Sequence, residues 1–133
     1  MVAVVCPWHT HHIRATQEID RRLTQGEEMI VAAHALAEAY SVLTRLPSPY
    51  RLAPSDAFTL LETNFMGIKI IALDGKAYRS LLSQAPSAGI AGGQIYDAVV
   101  AACALQAKVA TLLTFNERHF SSFAEKGITV VVP

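Results

Sequence analysis

Apolar and polar positions alternate along this chain in two rhythms, and the rhythm changes repeatedly. Residues 11–25 (HHIRATQEIDRRLTQ) carry a helical spacing that sets Ile13, Ile19 and Leu23 on one side, and Gly26 stops the helix. Residues 29–33 (MIVAA) form a short apolar run that fits a buried strand. Helix follows over 34–46 (HALAEAYSVLTRL) and is closed by Pro47-Ser48-Pro49. A further helix starts at Pro54, with Ser55 as its cap candidate. Residues 69–73 (KIIAL) read as a strand, and Asp74 as the cap of a helix over 75–84. After a loop at 89–93 come an apolar helix over 94–108, a strand over 111–114, a short helix over 117–125 and a last strand over 128–132. Strands alternating with helices predict an α/β protein: a mostly parallel sheet covered on both faces.

Bulk properties narrow the class. The chain has 133 residues, the size of one domain, so a single domain over 1–133 is expected. Apolar residues make up 52 %, ample for a core and too many for a disordered chain. Lys plus Arg and Asp plus Glu are both 11, so no global positive field draws the protein onto nucleic acid. Any such contact must be local. Cys6 and Cys103 stand far apart and read as reduced core thiols. The opening MVAVVC is too short for a signal peptide or a membrane span. The expectation is a cytoplasmic protein without a membrane segment.

Candidate chemistry gathers in a few places. Glu38 sits early in the helix after MIVAA, among Leu36, Ala37, Ala39 and Tyr40. It is either a structural carboxylate or a ligand. Asp97, in IYDAVVAACAL, opens the apolar helix after a Gly-rich loop. There it is either a first-turn acid favoured by the helix dipole or a metal ligand on a rigid support. Mg²⁺ and Mn²⁺ take hard oxygen donors and often use one or two carboxylates with water and substrate phosphate. Thr114, Asn116 and Glu117 close the strand TLLT. Asn116 can orient a water or a phosphate oxygen, and Glu117 is a ligand or a helix-start acid. Arg118 and His119 can meet phosphate; Arg118 can equally be a solvated surface residue, and His119 and Phe120 can pack.

Other sites are disfavoured. His9, His11 and His12 lack the i, i+4 spacing of a helical zinc site. The segment GIAGG is not the G-x-G-x-x-G of a dinucleotide fold. There is no G-K-[ST] of a phosphate-binding loop and no G-x-S-x-G of a nucleophile elbow.

Together these residues resemble the PIN-domain family, in particular the VapC-type toxins of toxin–antitoxin pairs. The likeness rests on Gly92, Gly93, Tyr96, Asp97 and Ala98, on LLTFNERHF over 112–120, on the closing GITVVVP, and on the helix bearing Glu38. It implies a three-layer α/β/α domain acting as a Mg²⁺- or Mn²⁺-dependent endoribonuclease. By position, Glu38 matches the family's second acidic residue, Asp97 its third and Asn116 its fourth. Asp97 and Glu38 are then the implied metal ligands, with Asn116 completing the catalytic set. Thr114 and Arg118 are implied to contact substrate. An RNA substrate, an antitoxin partner and a homodimer are implied as well.

The chain departs from that pattern at the front. The family's opening strand, ending in Asp followed by Thr-Asn or Thr-Ser, has no counterpart in MVAVVCPWHTHH. A vacant central strand would leave buried N–H and C=O groups unpaired, at about 1–3 kcal/mol each. The β-branched run Val2-Ala3-Val4-Val5 is therefore expected to fill that place, with Cys6 near the position of the Asp. A start assigned downstream of the true one is the other expectation. With only two of the family's usual acids in place, weak metal affinity and little or no ribonuclease activity are expected. The competing readings are a non-catalytic module that binds RNA or an antitoxin, and an α/β ligand-binding domain without metal.

Overall fold

The computed structural model describes residues 1–124 and 127–133. The chain divides into two compact units, Met1–Ile70 and Ile71–Pro133.

The first unit begins with α1 (Val2–Val5), a single helical turn, followed by α2 (His12–Thr24). Next come β1 (Ile30–Ala32), α3 (Ala33–Arg45) and α4 (Pro54–Leu61), which runs on as a π-helical turn over Glu62–Met66. β2 (Lys69–Ile71) pairs with β1. The core is Val5, Cys6, Val31, Ala39, Leu43, Ala57, Leu61 and Phe65. Leu43 on α3 and Ala57 on α4 retain no exposure and belong to one core.

The helical turn at Val2–Val5 overturns the predicted strand. Its backbone groups bond locally: Val4 N–H to Met1 O at 2.9 Å and Cys6 N–H to Val2 O at 3.1 Å. His12 Nδ1 donates to Ala3 O at 2.9 Å. Strand preference is a preference for a pleated, half-buried surface and not for a backbone angle. A turn that pairs its own polar groups and buries Ala3, Val5 and Cys6 meets the same need. Cys6 accordingly lies in this unit's core and not on a strand end.

Two smaller expectations also fail. Ile13 and Leu23 of α2 are 66 % and 46 % exposed, and the buried residue of that helix is Ala15. Ser55 caps nothing: α4 is entered from Ala53, with Pro54 in its first turn. There the missing proline N–H is no loss, because first-turn N–H groups have no helical partner. Gly26 does end α2 as expected, at φ 85°, a left-handed geometry that glycine adopts at little cost.

The second unit holds α5 (Gly75–Gln84), α6 (Gln94–Gln106), β3 (Thr111–Leu113), α7 (Glu117–Ala124) and β4 (Thr129–Val131). Glu125, the expected last residue of α7, lies outside the described residues. Asp74 caps α5 as predicted, its Oδ1 accepting Ala77 N–H at 2.7 Å. β3 and β4 run parallel, with Thr111, Leu112 and Leu113 opposite Thr129, Val130 and Val131. Ala101, Leu112, Phe120 and Ile128 form the core, tying α6, α7 and the strand pair together. The strands are each three residues long, shorter than the apolar runs that announce them.

Candidate active site

The second unit builds a polar corner from the end of β3 and the starts of α6 and α7. Pairing continues one residue past β3, where Thr114 N–H donates to Val131 O at 3.0 Å. The chain then turns. Thr114 Oγ1 accepts the backbone N–H of Asn116 at 3.0 Å, a hydroxyl-closed turn. Asn116 O accepts His119 N–H at 3.1 Å, which starts α7. Asn116 and His119 are three apart on that first turn, so their side chains meet. Asn116 Nδ2 lies 2.6 Å from His119 Nδ1.

α6 supplies the carboxylate. Gly92, at φ 55°, bends the chain into the helix, and Gly93 precedes its first residue without a side-chain cap. Ala98, Val99, Ala101 and Cys103 are buried and hold the helix in place. Asp97 caps no N–H. Its Oδ2 lies 2.5 Å from His119 Nδ1, bridging 22 positions of sequence. The two side chains keep 26 % and 37 % of their surface, so water and small ions reach them.

The other expected residues fall as follows. Glu38 lies on α3 in the first unit, exposed, with no hydrogen bond or ion pair among the described residues. Arg118 and Glu117 are exposed on the first turn of α7. The structure thus brings Asp97, Asn116 and Thr114 together in one corner, and adds His119. Sequence reasoning assigned His119 to packing or phosphate. The signal it carried was its i, i+3 spacing from Asn116.

The cysteines are not part of this corner's chemistry. Burial pushes the Cys6 and Cys103 thiols up, with a backbone hydrogen bond near Leu73 working the other way at Cys103. Both are therefore held as neutral thiols rather than nucleophilic thiolates. The histidines near the start are also engaged: His9 Nδ1 accepts His11 N–H at 3.1 Å, and Trp8 stacks on Tyr50 with ring centroids 4.5 Å apart. Among the described residues, no group of three or more His, Cys, Asp or Glu side chains gathers. The corner's donors fit a hard divalent cation in another way. A carboxylate oxygen not committed to capping stands beside an amide and an imidazole, and such ions complete their shell with water. Among the described residues, no helix is long and apolar enough to cross a membrane.

These features define the class: an α/β protein whose donors gather at the carboxyl end of a parallel strand, where such folds hold ligands. The chain belongs to the PIN-domain family, whose model matches residues 1–126. It is similar to ribonuclease VapC40 of Mycobacterium tuberculosis, 36 % identical over 130 residues, covering 98 % of this chain and 91 % of that protein. It is also similar to ribonuclease VapC27 of the same organism, 40 % identical over 105 residues, covering 79 % and 74 %. This is a VapC-type PIN-domain protein. No solved structure matches the chain.

Proposed function

We propose that this chain is a metal-dependent endoribonuclease of toxin–antitoxin type, hydrolysing RNA phosphodiester bonds. The observation that carries the reading is Asp97: a part-buried carboxylate at a helix start that caps nothing and faces the donors at the end of β3. Asp97 and Glu38 hold Mg²⁺ or Mn²⁺, and Asn116 holds water or a substrate oxygen. Thr114 and Arg118 meet the RNA backbone. A bound divalent cation supplies Lewis-acid stabilisation of phosphate charge and a lowered pKa for its water. The protein's part is to orient Asp97 through His119 and Asn116 through Thr114, so that neither needs reordering when RNA arrives. The chain works in the cytoplasm as one domain, as a homodimer held in check by a cognate antitoxin protein.

The test is RNA cleavage with Mg²⁺ and with Mn²⁺, comparing wild type with Asp97→Asn. A nuclease loses cleavage in the variant while its fold, read by thermal unfolding, stays intact. Retained cleavage in a folded Asp97→Asn protein overturns the assignment. A second reading, a non-catalytic module that binds RNA or an antitoxin, is favoured by Asn116, which leaves the corner one negative charge short of an Asp. On that reading wild type and variant bind alike and neither cuts. Glu38→Gln and Asp97→Asn are each expected to weaken Mn²⁺ binding, and unchanged affinity in either variant removes that residue from the ligand set.

A further inference from the structure

We infer that Trp8, Tyr50 and His9 form a base-stacking platform for single-stranded RNA on the first unit, with Arg51 beside it meeting the phosphate backbone. The inference rests on RNA as this chain's ligand, which both readings above allow, and adds a binding surface that the chemistry at Asp97 does not use.

Two fixed loops bring the rings together. In the first, His9 N–H donates to Cys6 O at 2.9 Å and His12 N–H to His9 O at 2.8 Å. In the second, Tyr50 N–H donates to Pro47 O at 2.9 Å and Leu52 N–H to Leu43 O at 3.1 Å. Cys6 and Leu43 belong to the core of this unit, so each loop is anchored on buried residues. Trp8 and Tyr50 meet between the loops, with ring centroids 4.5 Å apart and planes tilted by 34°. The series continues from Trp8 to His9 at 6.4 Å and from His9 to His11 at 5.6 Å. Each step falls within the range of about 4.5–7 Å over which aromatic rings interact. Trp8 and Tyr50 nevertheless each keep 45 % of their surface, and neither belongs to the core. Large rings are held in place here without being buried, which suits a surface that receives another flat ring.

Charge selects the occupant. The chain has 11 acidic residues, and none falls within residues 1–17 or 39–55, the segments that supply the four rings. Those segments carry Arg14, Arg45 and Arg51, all exposed. Glu18, the first acid after residue 17, is taken up by Arg21 and Arg22. A neutral chain thus has an acid-free pair of segments joined by an aromatic contact. Arg51 Nε donates to Leu46 O at 2.9 Å, which holds the guanidinium over its own loop. Its two NH₂ groups have no partner among the described residues, and a planar guanidinium suits phosphate oxygens. Stacking on Trp, Tyr and His with arginine on the backbone is how proteins hold unpaired nucleotides. A duplex keeps its base faces inside the stack, so the fit is to a single strand.

The experiment uses the full chain in EDTA, so that RNA is bound and not cut, with a labelled single-stranded oligouridine as the probe. Trp8 is the chain's one tryptophan, so intrinsic emission reports from the platform itself. We expect oligouridine to quench that emission with the same Kd that anisotropy of the label gives, and the annealed duplex to bind more weakly. Trp8→Ala and Tyr50→Ala should each weaken binding on the order of tenfold, while Trp8→Phe, which keeps a ring, should retain most of it. The phenylalanine variant keeps the test open if the alanine variant does not fold, as read by thermal unfolding. Arg51→Gln should reduce the salt slope of binding by about 0.7, and Arg51→Lys should restore it. Trp8 emission untouched by RNA, or RNA bound equally by wild type and folded Trp8→Ala and Tyr50→Ala proteins, overturns the platform; the rings then serve a protein partner or the fold alone. RNA cleavage with Mn²⁺ but no quenching overturns the platform and leaves the nuclease reading in place. Quenching without cleavage in either metal does the reverse.

Discussion

Thr114→Val is the sharpest probe of how the fold prepares this corner. Valine keeps the shape and the strand preference of threonine and removes one acceptor. The backbone bond from Thr114 N–H to Val131 O does not depend on the side chain. What disappears is the 3.0 Å bond that Asn116 N–H makes to Oγ1. A net hydrogen bond is worth about 0.5–1.5 kcal/mol. Asn116 is exposed, so water replaces part of the loss, and about 0.5–1 kcal/mol is expected. If that loss is felt wholly by the cation site, Mn²⁺ affinity falls about two- to fivefold, since 1.4 kcal/mol is tenfold. If it is felt by the fold, thermal unfolding drops by a few degrees, as about 1 kcal/mol does in a domain near this size. Titration calorimetry separates the two, and unfolding with and without Mn²⁺ checks the partition. Thr114→Ser keeps the oxygen and should restore affinity. Mn²⁺ affinity unchanged in the valine variant, or a serine variant as weak as valine, refutes the claim that this hydroxyl positions Asn116.

Two further outcomes test the first unit. Leu43, fully buried between α3 and α4, should cost about 2–5 kcal/mol when cut to alanine; a urea denaturation shift below about 1 kcal/mol would mean that this site collapses around the gap. Glu18 is held down to about 2 by hydrogen bonds from Arg21 and then Arg22. Its folded value lies below its unfolded one, so its contribution is complete above about pH 4.5 and fades as pH falls through about 2. The difference in melting temperature between wild type and Glu18→Gln should follow that course, and a difference constant from pH 7 to pH 2 contradicts it.

The sequence makes elements legible where the signal is local. α5 begins at the residue after Asp74 and ends at Gln84, as predicted, because a capping carboxylate and a Gly-bounded helix are read within a few residues. β1, β2, β3 and β4 all fall inside their apolar runs. Failures come where local composition has two solutions. Val2–Val5 can bury the same side chains as a strand or as a turn, and only contacts with α2 and α3 decide. Spacing sets Ile13 and Leu23 on one side of α2, but Ala15 is the residue of that helix that is buried. Ser55 resembles a cap, yet a proline beside it begins the helix.

The site was legible by residue type and illegible by partnership. Asp97 and Asn116 stand out because a carboxylate in an apolar helix and a polar group at a strand end both need a reason. His119 does not stand out, because its meaning lies in a contact 22 residues away. That contact also changes how the departure at Asn116 should be understood. Considered alone, a neutral amide in place of an acid subtracts charge and predicts a weaker site. Considered with His119, the same amide stands beside the imidazole that meets Asp97. An added carboxylate there would stand beside Asp97, and like charges so close oppose each other unless a cation is always present. Asn116 and His119 avoid that repulsion in the metal-free protein, and the corner can stay assembled while it waits for a cation. An Asn116→Asp substitution should therefore raise Mg²⁺ affinity and lower the melting temperature of the metal-free protein. An equal or higher melting temperature would show that charge relief is not why the pair is arranged in this way.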